Sequence, residues 1–462
     1  MEQNTVLSCE HLSFCYPRQT QDAIHDISFV MKESEFVVLC GQSGCGKTTL
    51  LRHFKKNQIP FGTGSGRLYY RGRDLERMND RDCAARIGYV GQNPDTQLVT
   101  DKVWHELAFG LENLGVSGIQ IRRRTAEIAQ YFGMESWFRK PVSELSGGQK
   151  QILNLASVVI MQPDILLLDE PTAQLDPIGT RRFLDTLGRL NRDLGTAVLL
   201  SEQRLEEVLP MADRVLIMHQ GQLIGDTVPS HCGDILEKFE KEHGEMLSIA
   251  PAMPTAVRVW QACHNEKEQE APVSIRQGRS GLQQTVHKSG QTERGSGQYF
   301  QIDNSRGTPA DKAGRQKKPQ EREKTLDQEK VVLQAKGIFF EYEKGKRVLE
   351  DFSIQVPKGK IFAIMGGNGS GKSTALKVIM GIYKARRGKV RASGRIRYLA
   401  QNPRSLFTEL TVEEELTVML SDWHDRSPVE TMLRYLELEK QQEQNPMDLS
   451  GGQQQRLALG KL

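Results

Sequence analysis

The chain has 462 residues, of which 26% are charged, and its formal net charge is +4. The length favours two or more domains, and the small net charge argues against a nucleic-acid binder, which would present a strongly basic face. No apolar run approaches the roughly 20 residues that cross a bilayer, the opening residues lack the regions of a signal peptide, and the seven cysteines show no CxxC or Cys/His metal spacing. The composition predicts a soluble, intracellular protein with reduced thiols.

The chain is organised as a repeat, because one unit is written twice. It begins near Leu7 and again near Leu333, and aromatic, acidic, apolar and Gly-rich positions follow in the same order in both copies. Each copy alternates short strands with turns and then runs through a Gly-rich loop into a helix, which is typical of α/β domains built on a largely parallel sheet. We predict a first domain at 1–245 and a second at 331–462, related by approximate two-fold symmetry.

The segment between the repeats predicts a tether. Residues 265–330 are rich in Gln, Lys, Glu, Gly and Ser and poor in aliphatic side chains, so apolar burial does not offset the cost of ordering the backbone. We predict a short extension followed by a disordered, flexible linker over 246–330, and a regulatory insert is the alternative. The stretch from Ser248 to Cys263 is broken by prolines and modestly apolar, which is typical of a small extension of the first domain.

Two Gly-rich loops predict nucleotide binding. GQSGCGKT follows the apolar run FVVLC, and GGNGSGKS follows IFAIM, so both fit GxxxxGK[ST] between a strand and a helix. The glycines let backbone N–H groups converge on phosphate oxygens, while Lys47 or Lys372 adds charge and Thr48 or Ser373 ligates Mg²⁺. The predicted cofactors are ATP and Mg²⁺. The residues predicted to hold the nucleotide are Gly41, Ser43, Gly44, Gly46, Lys47, Thr48, Thr49, Gly366, Asn368, Gly369, Gly371, Lys372, Ser373 and Thr374.

The run ILLLDE, Ile165 to Glu170, predicts the chemical centre of the first repeat. An unbroken apolar run is typical of a strand buried on both faces, and here it ends in two acids. We predict that Asp169 holds the metal and that Glu170 orients and deprotonates the attacking water. The alternative is an acidic helix cap, and the accompanying phosphate loop and LSGGQ stretch favour the catalytic interpretation.

The LSGGQ stretch predicts a second anion site. It occurs at Leu145 to Gln149, before an amphipathic run, and again at Leu449 to Gln453. N–H groups at a helix start attract anions, yet a domain with a phosphate loop needs no second site for the same nucleotide. We therefore expect each LSGGQ to close over the nucleotide held by the other domain. The contacting residues would be Ser146, Gly147, Gly148, Gln149, Ser450, Gly451, Gly452 and Gln453.

Together these motifs resemble a tandem ATP-binding cassette (ABC) ATPase. Within that family the stretches GYVGQNPDTQLVTDKVWHELAFGLENLGV, DEPTAQLDPIG, SEQRLEE and RYLAQNPRSLFTELTVEEEL resemble the ATPases of energy-coupling factor (ECF) importers. The resemblance implies two P-loop NTPase domains and a motor on the cytoplasmic face of the membrane. Its ATP hydrolysis would drive vitamin or metal-ion uptake through separate membrane subunits, one coupling and one capturing the substrate.

The resemblance leaves several points open. The cassettes would pair within the chain or with another copy. No nucleic-acid partner is expected, although a soluble tandem cassette protein acting on ribosomes or nucleic acid is one alternative. An inactive, truncated regulatory copy is another.

Further roles follow from the resemblance residue by residue. Tyr16 and Tyr342 would stack on adenine, with Phe340 as an alternative to Tyr342 and core packing as the structural alternative. Gln92 and Gln401 would touch the metal and the water while contacting the membrane subunit. They therefore join Thr48, Asp169 and Ser373 as predicted metal residues.

The same resemblance predicts a surface for the membrane subunit. The stretch from Asp95 to Leu114 would form part of a groove for a short helix of that subunit. A basic residue on that helix would meet Glu106 or Glu112. Asp176 would be the loop acid that crosses toward the opposite site.

The sequence departs from the family pattern at two places. Gln203 stands where the family usually places a His, and a Gln side chain cannot carry a proton or a positive charge near neutral pH. We expect slower hydrolysis at the first loop, by about ten- to a thousand-fold.

The second repeat reaches Leu462 before a second acidic pair. We expect a truncated copy with an incomplete second domain and exposed apolar surface. It should bind ATP but hydrolyse it poorly.

Overall fold

The structure, a computed structural model, divides the chain into two units, one within 1–297 and one within 298–462. The described residues are 4–17, 21–244, 249–263, 270–279, 331–342, 345, 347–367, 369–400, 403–419, 427–449 and 451–462. The predicted linker, apart from 270–279, lies outside them, as do Asn368, Gln401 and Ser450. Among the described helices, none is both long and apolar enough to span a bilayer.

The first unit contains a four-stranded antiparallel sheet in the order β2-β1-β4-β5. Along β2 every second or third residue is buried, and these residues are apolar, so the sheet has one face on the core and one toward solvent. The strands are β1 Thr5–Cys15, β2 Ile24–Lys32, β4 Thr63–Tyr70 and β5 Arg73–Asp74.

A six-stranded sheet forms the centre of the first unit, in the order β10-β9-β3-β8-β7-β6. Its strands are parallel except β10, which runs antiparallel to β9. Every residue of β3, β7 and β8 is buried, which explains their unbroken apolar sequences. The strands are β3 Phe36–Gly41, β6 Ile87–Val90, β7 Ile165–Asp169, β8 Ala197–Ser201, β9 Arg214–His219 and β10 Gln222–Thr227.

Helices and the first sheet cover the two faces of this central sheet. Val38 and Leu168 face one core cluster, which includes Phe183 from α6. Val37 and Leu167 face the other cluster, which includes side chains of β1 and β2. The helices of the first unit include α1 Lys47–His53, α2 Asp80–Arg86, α3 Val103–Asn113, α4 Gly118–Tyr131, α5 Gly147–Val159, α6 Pro177–Leu194, α7 Leu205–Val208, α8 Cys232–His243 and α9 Thr255–Cys263. Residues 275–279, within the predicted linker, are also helical, so the linker is not disordered over this short stretch.

The strand order determines which loops meet. Strand β8 lies between β3 and β7, so that Ser201 is in register with Leu39 on one side and with Asp169 on the other. Because the carboxyl ends of parallel strands share one edge of a sheet, the residues after β8 come between the phosphate loop and the acidic pair.

The second unit repeats the antiparallel sheet, here in the order β12-β11-β13. Its strands are β11 Val331–Glu341, β12 Arg347–Pro357 and β13 Arg387–Ala392, and its helices are Lys372–Ile379, Val412–Met419, Ser427–Tyr435 and Gly451–Gly460. One expectation is wrong, because IFAIM before the second phosphate loop is not a strand. Its counterpart β3 pairs with β8 and β9, and the described residues of the second unit supply no such neighbours. Met365 is accordingly 90% exposed.

Candidate nucleotide site

The first phosphate loop has the conformation that its glycines predict. Gly44 and Gly46 have φ of 82° and 102°, which L side chains rarely adopt. A Cβ at Gly46 would also lie 2.4 Å from the carbonyl oxygen of Ala23. Lys47 is only 4% exposed, and its Nζ donates to the carbonyl oxygens of Gly41 and Gln42 at 2.9 and 3.0 Å. The buried ammonium is therefore held across the loop.

The second phosphate loop has the same arrangement. Lys372 Nζ donates to the carbonyl oxygens of Gly366 and Gly367, both at 2.8 Å. Gly369 and Gly371 have φ of 80° and 89°. The two loops thus share their lysine contacts and their left-handed glycines.

Asp169 is the buried acid beside the first loop. Its Oδ1 accepts hydrogen bonds from Thr48 Oγ1 at 3.1 Å and Ser201 Oγ at 2.9 Å, and its Oδ2 accepts one from Tyr89 at 3.3 Å. Burial, with the Asp169 charge next, raises the pKa of Tyr89 to about 12, so Tyr89 remains a donor at neutral pH. Sequence reasoning missed Tyr89 and Ser201, because their role depends on neighbouring strands.

This set of oxygen atoms fits Mg²⁺. The ion prefers oxygen ligands and is usually held by one or two carboxylates together with substrate phosphates. Thr48 Oγ1 and Asp169 supply the protein oxygens, already 3.1 Å apart. The described residues contain no group of three or more His, Cys, Asp or Glu that suits a metal ion. Thr48 Oγ1 and the Asp169 carboxylate match the protein share of a site that is completed by substrate phosphates.

The side chain of Glu170, the second residue of the acidic pair, contacts the loop that follows β8. Its backbone φ is 43°, in the left-handed region. Its Oε1 lies 3.5 Å from Lys47 Nζ and accepts a hydrogen bond from Gln203 Nε2 at 2.7 Å. The structure therefore brings together Lys47, Glu170 and Gln203, which the sequence places far apart. Gln203 contacts Glu170 as a neutral donor.

Gln92 lies exposed in the loop that follows β6. The loop is anchored by Gln97, whose Oε1 accepts from the Gly91 N–H at 2.6 Å and from Asn154 Nδ2 at 2.8 Å. Asn154 lies on α5, the helix that starts at LSGGQ. Sequence reasoning missed Gln97 and Asn154. The signal that could have found them is the Asn154 side chain among the apolar residues of α5, since a buried amide needs a hydrogen-bond partner.

The first LSGGQ stretch begins helix α5 with a capping box. Ser146 Oγ accepts from the Gln149 N–H at 3.3 Å, and Gln149 Oε1 accepts from the Ser146 N–H at 3.0 Å. A Cβ at Gly147 would meet nothing within 4 Å, and one at Gly148 only Leu175 at 3.9 Å. Packing inside the first unit therefore does not require these glycines, and the open space leaves their backbone accessible.

In the second LSGGQ stretch the glycines are equally open. Gly451 and Gly452 would also meet nothing within 4 Å if each carried a Cβ. Gln453 lies in the same helix, Gly451–Gly460.

The predicted adenine-stacking residues are placed alike in the two units. The Tyr16 hydroxyl lies 3.0 Å from Thr49 Oγ1, and that of Tyr342 lies 2.9 Å from Thr374 Oγ1. The Phe340 ring stacks on the Tyr383 ring at 5.3 Å, whereas Tyr342 is 56% exposed. The exposed face of Tyr342 therefore suits a base better than Phe340 does.

The structure corrects one expectation for the partner surface. Glu106 is only 4% exposed, and its Oε2 accepts from the N–H groups of Val99 and Thr100 at 3.1 and 2.7 Å. The expectation that Glu106 meets a basic residue of a partner is wrong, because its carboxylate already holds the preceding loop. Glu112 is exposed and lies 3.9 Å from His105 Nε2. Asp176 caps α6 by accepting from the Gly179 N–H at 2.7 Å.

Comparison with known proteins identifies the family. Residues 24–173 and 349–462 match the ABC transporter family. A putative ABC transporter ATP-binding protein of Bacillus anthracis is 37% identical over 97% of this chain and 78% of its own length. A protein of the same name from Methanosarcina acetivorans is 30% identical over 100% of this chain and 75% of its own. These transporter names do not favour the alternative of a protein acting on ribosomes or nucleic acid.

A structural neighbour was also found. It is cbiO1 of Clostridium perfringens, described as part of the ABC transporter complex cbiONQ. It is 29% identical, with a TM-score of 0.46, and the match covers 52% of this chain and 96% of that one. The family match confirms the predicted α/β fold with two P-loop NTPase regions in tandem.

Proposed function

The chain belongs to the ABC transporter family of ATP-hydrolysing proteins, and on that premise we propose that it is the motor subunit of an ECF-type importer. The observation that carries the ATPase assignment is the meeting of Lys47, Asp169, Glu170 and Gln203 around one phosphate loop. Charge compensation and positioning are what phosphoryl transfer requires of a protein.

Each residue at the first loop has a defined task in this proposal. Lys47 is held in place to face the β and γ phosphates, and the loop N–H groups bind their oxygens. Thr48 and Asp169 would hold Mg²⁺, with Gln92 approaching from its loop, and the ion supplies charge neutralisation when bound. Glu170 accepts the proton of the attacking water. Gln203 keeps the Glu170 carboxylate oriented through its 2.7 Å hydrogen bond.

Ser373, Lys372 and Tyr342 would serve a second nucleotide in the same way, together with Gln401. The LSGGQ stretches would complete the sites by pairing of cassettes, within one chain or between copies. The open glycines at 147, 148, 451 and 452 support this role, since they leave backbone N–H groups free for close approach.

The importer part of the proposal is supported by an exposed surface around α3, the helix that follows the Gln92 loop in the chain. Val99, Trp104 and Phe109 are exposed apolar side chains around α3, and Glu112 is exposed on the same helix. An apolar surface with a nearby carboxylate suits an amphipathic helix that carries a basic residue. We propose that a membrane-embedded coupling subunit docks here at the cytoplasmic face. A separate subunit would then capture a vitamin or metal ion.

The ATPase assignment is tested with Glu170→Gln in the full chain. We expect phosphate release to fall by about 100-fold or more, because a general base is lost, while binding of a fluorescent ATP analogue is retained. Glu135→Gln is the matched control, since Glu135 is exposed and lies between α4 and α5. Turnover that survives Glu170→Gln would contradict the assignment.

The importer assignment is tested by capturing partners from detergent-solubilised membranes of the source cells. We expect the chain to retain a multi-span membrane protein, and Trp104→Ala with Phe109→Ala to weaken that capture without changing ATP binding. Phe61→Ala is the control, because Phe61 is exposed outside the proposed surface. Capture of ribosomes, or equal capture by the double variant, would refute the proposed docking surface.

A further inference from the structure

A buried carboxylate lies beside the catalytic centre and has no role in the mechanism above. Glu202 follows β8 and is 3% exposed, and its N–H donates to the Leu39 carbonyl at 3.2 Å. Burial raises its pKa, and the nearby Glu170 charge raises it further. A carboxylate in such a place is retained only with hydrogen-bond donors around it, so the identity of those donors is informative.

The donors to Glu202 belong to two segments next to Glu170. One is Thr172, just after Glu170 in the chain, and the other is Gln203, in the loop after β8. Oε1 accepts from the Thr172 hydroxyl and from the Thr172 N–H, the latter at 3.3 Å. Oε2 accepts from the Gln203 N–H at 3.2 Å. Thr172 lies two residues after Glu170, while the Gln203 side chain donates to Glu170. One carboxylate therefore joins the two segments that flank the catalytic glutamate.

Glu170 needs such support because its backbone is in an unfavourable region. A non-glycine residue at φ 43° persists only where the surroundings determine it. The Glu170 N–H donates to Ser201, and the turn continues with the Ala173 N–H donating to Glu170 at 3.2 Å and the Leu175 N–H to Thr172 at 3.0 Å. Thr172 thus lies in the middle of the turn that leads from Glu170 to Asp176. The buried Glu202 carboxylate holds Thr172 in place by accepting hydrogen bonds from its hydroxyl and its N–H.

We propose that Glu202 is a positioning residue for ATP hydrolysis at the first phosphate loop. By binding Thr172 and the Gln203 backbone together, it sets the orientation of the Glu170 carboxylate toward the attacking water. It touches neither nucleotide nor metal itself. The proposal rests on the ATPase function proposed above and adds a residue to it.

The test compares Glu202→Ala, Glu202→Gln and Thr172→Val in the full chain. Glu202→Ala should lower kcat by about 10- to 100-fold, since small displacements of a reacting group have effects of this size. ATP affinity should change by less than about twofold, because the phosphate loop is untouched. Glu202→Gln keeps an acceptor oxygen for Thr172 and should recover most of the activity. Thr172→Val removes the hydroxyl donor from the other side and should give an intermediate kcat.

Hydrogen exchange of backbone amides gives a second readout that does not depend on turnover. In Glu202→Ala the amides of residues 170–176 should exchange faster, with the rest of the first unit unchanged. If the wild-type chain shows no turnover, the ATPase proposal fails, while the exchange difference still decides the role of Glu202. An unchanged exchange rate at 170–176, or faster exchange throughout the unit with an equal loss of ATP affinity, would overturn the proposal.

Discussion

The two phosphate loops make the same local contacts in different surroundings. In the first unit the loop follows β3, which pairs with β8 and β9, and in the second it follows an unpaired segment with Met365 exposed. Yet Lys47 and Lys372 each donate to two loop carbonyls at closely similar distances. Glycine spacing and the lysine therefore determine the conformation of the loop, whereas the sheet determines which side chains the loop faces.

A second pair of residues extends the comparison. Glu106 and Glu415 are both buried, and each accepts from two successive backbone N–H groups that precede its helix. Glu415 also pairs with Lys461. These carboxylates hold the loop before the helix in each unit, so this part of the repeat is again determined locally.

Removing each loop lysine in turn should give the largest difference between the two units. Lys47→Ala should lower ATP turnover by about 1,000-fold, which corresponds to about 4 kcal/mol of barrier. Lys372→Ala should lower it by less than about tenfold, because Glu170 lies beside Lys47 and Asp169 beside the adjacent Thr48. Phosphate release and ATP-analogue binding measure both effects. The exposed Lys140→Ala is the control, and equal losses for the two loop lysines would show that the loops are functionally alike.

The sheet contribution is tested with the residues that begin the two equivalent runs, Phe36 and Ile361. Phe36 is fully buried and Ile361 fully exposed. Phe36→Ala should lower the free energy of unfolding of the first unit by about 3 kcal/mol or more through the cavity it leaves. Ile361→Ala should have no measurable effect. Denaturant unfolding followed by tryptophan fluorescence reports mainly the first unit, which contains Trp104, Trp137 and Trp260, while the second unit contains Trp423. A small effect of Phe36→Ala would mean that the core around β3 is loosely packed.

Gln203, which stands where the family pattern usually has a His, should limit turnover at the first phosphate loop. Gln203→His should raise turnover by about tenfold, since a His at this position can carry a positive charge near neutral pH. Phosphate release at several pH values measures the gain, which should be largest where the imidazole is protonated. Gln203→Asn, which shortens the donor without adding charge, is the control and should lower turnover. A gain in both variants would argue against a charge effect.

The sequence predicts the features that depend on a few adjacent residues, and it misses the contacts that depend on the order of the strands in the sheet. The phosphate loops, the buried run before Asp169 and the helix start at LSGGQ depend on short stretches, so their patterns sufficed. Glu202 and Gln97 act on residues 30 and 57 positions away, through neighbours that only the folded sheet and helices define. The strand predicted at IFAIM is wrong because an apolar run carries no information on whether partner strands are present. The roles of the site residues themselves stay predictions until the variants are measured.

The smallest change in ATP-analogue binding is expected from the hydroxyl contacts of Tyr16 and Tyr342, which have almost the same length in the two units. Tyr16→Phe and Tyr342→Phe each remove one hydroxyl contact, of 3.0 and 2.9 Å, to the threonine after the loop. An exposed or half-buried neutral hydrogen bond contributes only about 0.5–1.5 kcal/mol, and the ring face for adenine remains. Binding of the ATP analogue should therefore weaken by the same small factor in both variants. Tyr435→Phe is the control, since Tyr435 is exposed away from the loop. If only Tyr16→Phe weakens binding, the two adenine sites differ in use although their resting contacts are alike, and the first site would be the one that retains nucleotide.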